Sequence, residues 1–163
     1  ALKPAVTQTQ SGVVGVLTTQ ATADGALYRQ LLARYAQDAH VITQVSPKLV
    51  SLVEHGQLDG EYASAVVEAY LNPLLSAGAD QIVLACTHFP FLAPLIRQIA
   101  GDSVTLVEPS EPVARQVSRV SDDCLPQTPT HQYFTSGDVE SFNQIASILM
   151  KQPIQATLID NEH

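Results

Sequence analysis

The chemistry-bearing residues of this chain concentrate in Cys86-Thr87-His88, where a thiol, a hydroxyl and an imidazole arrive in succession. A thiol beside an imidazole can surrender its proton to it, and the thiolate is the reactive form of cysteine. Upstream, Gly78-Ala79-Asp80 is a turn signal and Ile82 to Ala85 an apolar run. A run that short suits a strand buried on both faces of a parallel sheet. Downstream, Pro90 is placed to begin a helix. The triplet therefore falls at the carboxyl end of a strand, where open α/β sheets bind ligands, and near a helix N-terminus that also favours thiolate. Cysteine is equally common as a small buried hydrophobe. The two readings of Cys86 stand side by side on its own chemistry; the adjoining Thr-His pair favours the reactive one, since a plain core strand has no use for three polar-capable groups.

The elements that must position this triplet alternate in type. Val13 to Thr18 reads as a buried strand ending in a hydroxyl-rich turn, Thr18 to Thr22. A helix follows from about Asp24, with Leu27, Leu31 and Tyr35 on one face. His40 to Val45 is a second strand. Ser46 as N-cap, Pro47 at the first helical position and Gly56 as stop define the next helix, with Leu49, Val50 and Val53 inward and Glu54 in its last turn. A longer helical pattern runs from about Glu61 to Ala77, and Pro73 inside it predicts a kink or restart. After the central strand come a helix from Pro90 to Gly101, a strand Val104 to Val107 and a helix from Ser110 to about Val120. A polar loop, Ser121 to Thr130, leads to a strand Gln132 to Thr135, a helix Asp138 to Met150 and a closing strand Ile154 to Leu158. Strands alternating with helices imply crossovers and a parallel sheet, an α/β fold.

The 163 residues fit one ordinary domain, or one domain and part of another, and a hydrophobic content of 45% is ample for a core. No apolar run reaches the roughly 18 residues of a membrane span, and the N-terminus lacks the order of a signal peptide. A formal charge of −8 argues against nucleic acid and anionic membrane surfaces as partners. Two cysteines, Cys86 and Cys124, cannot make a disulfide framework or a four-ligand zinc site. The expected home is the cytoplasm. Gly12 and Gly15 do not extend into a dinucleotide fingerprint, and the five histidines do not pair at i, i+4. Neither a nucleotide cofactor nor a metal is indicated.

Three segments together carry a resemblance. Gly15-Val16-Leu17-Thr18-Thr19-Gln20-Ala21-Thr22, Leu52-Val53-Glu54-His55-Gly56 and Leu84-Ala85-Cys86-Thr87-His88-Phe89-Pro90 resemble the glutamate racemase family, the cofactor-independent amino-acid racemases of bacterial peptidoglycan synthesis. Tyr133 to Asp138 is similar to that family's final strand-to-helix junction. The resemblance implies two similar α/β domains facing across a cleft, with residues 8–107 forming the second and 108–163 returning to complete the first. It also implies that an Asp-Ser-Gly segment and a second thiol in an Asn-Thr context, both from the first domain, are not in this sequence. Cys124, in a polar loop, lacks that context. The expectation is therefore a C-terminal portion, inactive by itself, whose partners are glutamate and the missing N-terminal half. Apolar surface left uncovered by that half also makes a homo-oligomer a possible outcome.

Racemisation at an α-carbon without pyridoxal needs two bases on opposite faces, and thiols suit the task. By the resemblance, Cys86 is the base facing the L-enantiomer, His88 relays or tunes its proton, and Glu54 is the carboxylate near this thiol. Thr19, Thr22 and Thr87 match positions around the substrate. Thr19 and Thr22 equally suit helix caps, and Glu54 a solvated helix end. Rival readings are a racemase of another acidic amino acid, a carboxylate-binding or interaction module without catalysis, and a thiol hydrolase. The last is disfavoured because no Asp or Asn is evidently placed to orient His88.

Overall fold

A computed structural model describes residues 1–121 and 130–159. Cys124 and nearly all of the expected loop lie outside those residues. The element order is α1 (Leu2–Gln8), β1 (Val13–Thr18), α2 (Gln20–Ala23), α3 (Ala26–Tyr35), β2 (His40–Val45), α4 (Pro47–Glu54), α5 (Gly60–Ser76) and β3 (Gln81–Ala85). A 3₁₀ turn (Phe89–Leu92), α6 (Ala93–Ala100), β4 (Thr105–Val107), α7 (Ser110–Val120), β5 (Tyr133–Thr135), α8 (Val139–Met150) and β6 (Ala156–Leu158) follow.

Four strands form one parallel sheet in the order β2-β1-β3-β4, and β5 and β6 form a separate parallel pair. The α/β class with a parallel sheet is as the sequence implies. The central strands are apolar because helices cover both their faces. Leu17, Ile82 and Leu84 pack beneath α4, α5 and α6, whereas Val14, Val16 and Val83 pack beneath α1 and α3. Gly15 lets α5 close on β1: a Cβ there would stand 2.7 Å from Ile82 Cδ1 and 2.9 Å from Leu74 Cδ1.

Local departures from the sequence reading have physical causes. The N-terminal helix α1 was not anticipated; Leu2 and Ala5 are buried against the sheet despite its short length. In α3 the inward residue is Tyr28, whose hydroxyl pairs with the Thr43 hydroxyl at 2.6 Å, while Leu27 is 70% exposed. The register shifts because α2 intervenes and α3 starts at Ala26. Pro73 does not restart α5, which continues to Ser76. One backbone bond near the helix end is a small loss beside the complete burial of Leu71 and Leu74, each contributing about 1.5–3 kcal/mol. The segment from Pro90 opens as a 3₁₀ turn before α6 begins at Ala93. Ser46 precedes Pro47 as expected, but its hydroxyl donates to the Gln44 carbonyl rather than capping α4.

At the amino edge of the sheet Asp80 ties two loops together. Its carboxylate accepts from the Thr9 hydroxyl at 2.6 Å and from the backbone N–H groups of Gln10 and Ser11 at 2.6 and 2.8 Å. Burial pushes this carboxyl up, but the Thr9, Ser11 and Gln10 donors together outweigh it and hold the group below the usual aspartate value.

Candidate functional site

The parallel register brings three strand ends to one edge. Thr18 lies opposite both Val45 and Ala85, so the residues that follow (Thr19, Ser46 and Cys86) emerge side by side. Cys86 is half-buried, with its thiol against the core beneath α4, α5 and α6. The chain then turns: the Phe89 N–H donates to the Cys86 carbonyl at 3.3 Å, and Phe91 N–H to the His88 carbonyl at 3.1 Å. Phe89 is fully buried, which pins the turn and leaves the His88 side chain to swing over the strand end.

His88 joins two groups that are 32 residues apart in the chain at their extremes. Its Nδ1 stands 3.6 Å from Cys86 Sγ, and its Nε2 stands 3.4 Å from Glu54 Oε1. Glu54 reaches it because α4 packs against the 3₁₀ turn and ends there; Val53, its neighbour, is fully buried. The side chains of His88 and Glu54 are 34% and 60% exposed, so both meet solvent. Long contacts of this kind are usual in unliganded catalytic sites. The arrangement can move a proton between thiol and imidazole, with the carboxylate placed beside the far nitrogen of the ring.

The other expected site residues are placed differently. Thr19 caps α2: its hydroxyl oxygen accepts from the Thr22 N–H at 3.3 Å, and its hydroxyl donates to the Thr22 hydroxyl at 3.1 Å. The capping reading of this pair therefore holds in the structure, and Thr19 remains on the edge beside Cys86. Thr87 is exposed between Cys86 and His88.

Sequence reasoning missed a wall of the site. A cavity of about 300 Å³ opens beside the Glu54–His88 pair, lined by Val53, Glu54 and His88 and, from α8, by Ser141, Phe142, Ile145, Ala146 and Leu149. The signal was present in the i, i+3, i+7 spacing of Phe142, Ile145 and Leu149, but nothing in the sequence says which surface that stripe meets. A second apolar cavity of about 360 Å³ lies on the other face of the sheet, between α1, α3 and Val16, Val83 and Ala85; Thr22 borders it. Among the described residues no cluster of His, Cys, Asp or Glu is placed to hold a metal, and no helix is long and apolar enough to cross a membrane.

The fold is a parallel α/β sheet with a thiol and an imidazole paired at its carboxyl edge. Residues 2–117 match the Asp/Glu/Hydantoin racemase family, and the chain belongs to it. Among curated relatives, a glutamate racemase from Herpetosiphon aurantiacus is 46% identical over 153 residues, which is 91% of this chain and 60% of the relative. One from Pseudomonas putida is 41% identical over 153 residues, again 91% of this chain and 58% of the relative. The crystal structure of a glutamate racemase isoform from Bacillus anthracis superposes with a TM-score of 0.82 at 27% identity, covering 98% of this chain and 62% of that one. The glutamate racemase of Escherichia coli, solved with L-glutamate and an activator, gives 0.81 at 24% identity over 97% of this chain and 61% of that one, a likeness of fold. The chain thus spans about 60% of the length of the relatives it matches.

Proposed function

We propose that this chain supplies one wall of a cofactor-independent glutamate racemase, acting in the cytoplasm in peptidoglycan synthesis. The observation that carries the reading is the Cys86–His88–Glu54 line at the strand edge, in a chain whose curated relatives bear that activity. In this reading Cys86 takes the α-proton from L-glutamate and returns one to the planar carbanion formed from the D-enantiomer. His88 receives and restores the thiol's proton, and Glu54 stabilises the imidazolium. Thr19, Thr22 and Thr87 offer hydroxyl or backbone donors to the substrate's ionic groups.

One thiol serves one face only, so the opposing base comes from the part of the longer protein that this sequence does not include. The division of the chain at residue 108 belongs to the same proposal: residues 8–107 form the wall with Cys86, and the segment after Val107 joins the opposing domain. The uncovered Val113, Val117 and Val120 of α7 and Phe134 and Leu158 of the small sheet are consistent with that role. Burying such surface on assembly is favourable at about 25 cal/mol per Å², less the entropy of association.

The test is complementation. The chain alone should interconvert glutamate enantiomers far below the ordinary enzyme range of about 1 s⁻¹ and above. Coexpression with the remaining segment of a relative should restore turnover without added cofactor, and Cys86→Ala should abolish it. A well-folded complex inert towards both enantiomers would overturn the functional reading, not merely the division into segments.

A further inference from the structure

The thiol hydrolase reading was disfavoured for want of a group to orient His88, and Glu54 is that group. The imidazole has the thiol on Nδ1 at 3.6 Å and a carboxylate on Nε2 at 3.4 Å. With the ring proton on Nε2, the side that faces the Glu54 carboxylate across a 3.4 Å charge contact, the Nδ1 lone pair faces Cys86 Sγ, so one tautomer suits both contacts. Nucleophile, base and orienting carboxylate in this order form the recurring arrangement of nucleophilic thiol catalysis. All three groups come from this chain, and the pair opens onto a cavity walled by Val53, Phe142, Ile145 and Leu149.

We propose that Cys86, His88 and Glu54 form an acyl-transfer site within this chain, acting on small activated esters and thioesters of short apolar acids. The site is independent of whether the longer protein racemises glutamate, because acyl transfer needs one thiol and racemisation two bases. In the first step the Cys86 proton passes to His88 Nδ1 and the sulfur attacks the acyl carbon. A C–S bond forms, and the bond to the leaving alkoxide, phenolate or thiolate breaks through a tetrahedral intermediate. The leaving group takes the proton from His88, or departs as the anion while His88 gives its proton to solvent, so that Nδ1 is again free. In the second step His88 Nδ1 accepts a proton from water, whose oxygen attacks the thioester. The C–S bond breaks, the acid is released and the thiol recovers its proton from His88. The α8-walled cavity borders His88 and Glu54 rather than Cys86 itself. An acyl chain on the sulfur that extends past the imidazole therefore meets Phe142, Ile145 and Leu149, which is why short apolar acids suit the site better than charged ones.

The experiment uses the 163-residue chain and 4-nitrophenyl butyrate, following nitrophenolate release by stopped flow and the adduct by peptide mass mapping. A burst of one butyryl group per chain on Cys86, followed by a slower linear phase, is the expected course. The burst should run about 100-fold faster than acylation of N-acetylcysteine at the same pH, the low end of what a positioned base contributes. His88→Asn should bring the rate down to that of the free thiol. Glu54→Ala should lower it about tenfold, and Glu54→Gln, which keeps an acceptor oxygen for the ring, should fall between Glu54→Ala and the parent. The proposal is overturned by a burst no faster than N-acetylcysteine, by acylation elsewhere than Cys86, by a missing linear phase, or by rates indifferent to His88 and Glu54. The comparison with the free thiol needs no substituted protein, so misfolding of a variant cannot hide a negative result.

Discussion

Asp80→Asn should destabilise the fold at neutral pH and leave it nearly unchanged in acid. The carboxylate accepts three hydrogen bonds, from Thr9 Oγ1 and from the N–H groups of Gln10 and Ser11. An asparagine has one acceptor oxygen and must turn its NH₂ towards a donor. Hydrogen bonds to a charged group contribute about 1.5–3 kcal/mol each when shielded, but these meet solvent, which cuts their joint contribution to about 1.5 kcal/mol. With a urea slope of about 1.5–2 kcal/mol/M, the midpoint should fall by about 0.8–1 M. The pH dependence follows from the depressed native value. A carboxyl of lower pKa when folded contributes fully above the unfolded value of about 3.9 and loses that contribution as pH falls through the folded value. The gap between parent and Asp80→Asn should therefore close on acidification below about pH 4. Equal midpoints at pH 7, or a gap that survives in acid, would refute the account. Because Asp80 lies at the sheet edge opposite Cys86, thiol alkylation of the native variant should proceed at the parent's rate.

Phe89→Ala removes a fully buried ring that pins the turn after Cys86; the cost should be about 3–5 kcal/mol, read as a fall of more than 1 M in urea midpoint, and a fall under 0.5 M would mean the turn is held by something else. Val113, Val117 and Val120 form an apolar stripe on α7, exposed by 59%, 54% and 67%, so the isolated chain should self-associate in a concentration-dependent way. Sedimentation should show Val113→Lys with Val117→Lys shifting it towards monomer, and a parent that stays monodisperse and monomeric at high concentration would remove the argument.

The sheet was legible in sequence because its strands are short apolar runs between turn signals; Val13–Thr18 and His40–Val45 fall where the pattern puts them. Helix faces were less legible. In α3 the choice between Leu27 and Tyr28 depended on a one-residue start that the intervening α2 decided. Cys86 and His88 were visible as neighbours in the chain, and Glu54 entered only through likeness to a family motif. Its approach to His88 is a packing outcome of α4 against the turn. The α8 wall was the least legible part, since a periodic stripe does not name the surface it covers. Asp80 was passed over as turn punctuation, although Thr9, Gln10 and Ser11 are themselves the donors it needs.

Three of the candidate site residues stand next to an anchor that is completely buried. Thr18 precedes Thr19, Val53 precedes Glu54, and Phe89 follows His88; all three anchors have no measurable exposure. Cys86 stands two residues beyond Leu84, which is equally buried. The reason is geometric. At a strand or helix end, one step along the chain turns a side chain from the core to the rim, so backbone position is fixed by packing while the functional group stays accessible. The consequence is a division of labour along each short motif. Substituting the anchor displaces chemistry through the fold, whereas substituting its neighbour removes chemistry and leaves the fold. Glu54 tests that division best, because it is 60% exposed yet adjoins Val53. Its loss should be felt in the behaviour of His88 and hardly at all in stability, while Val53→Ala should lower stability by about 2 kcal/mol and reach His88 only through the displaced end of α4.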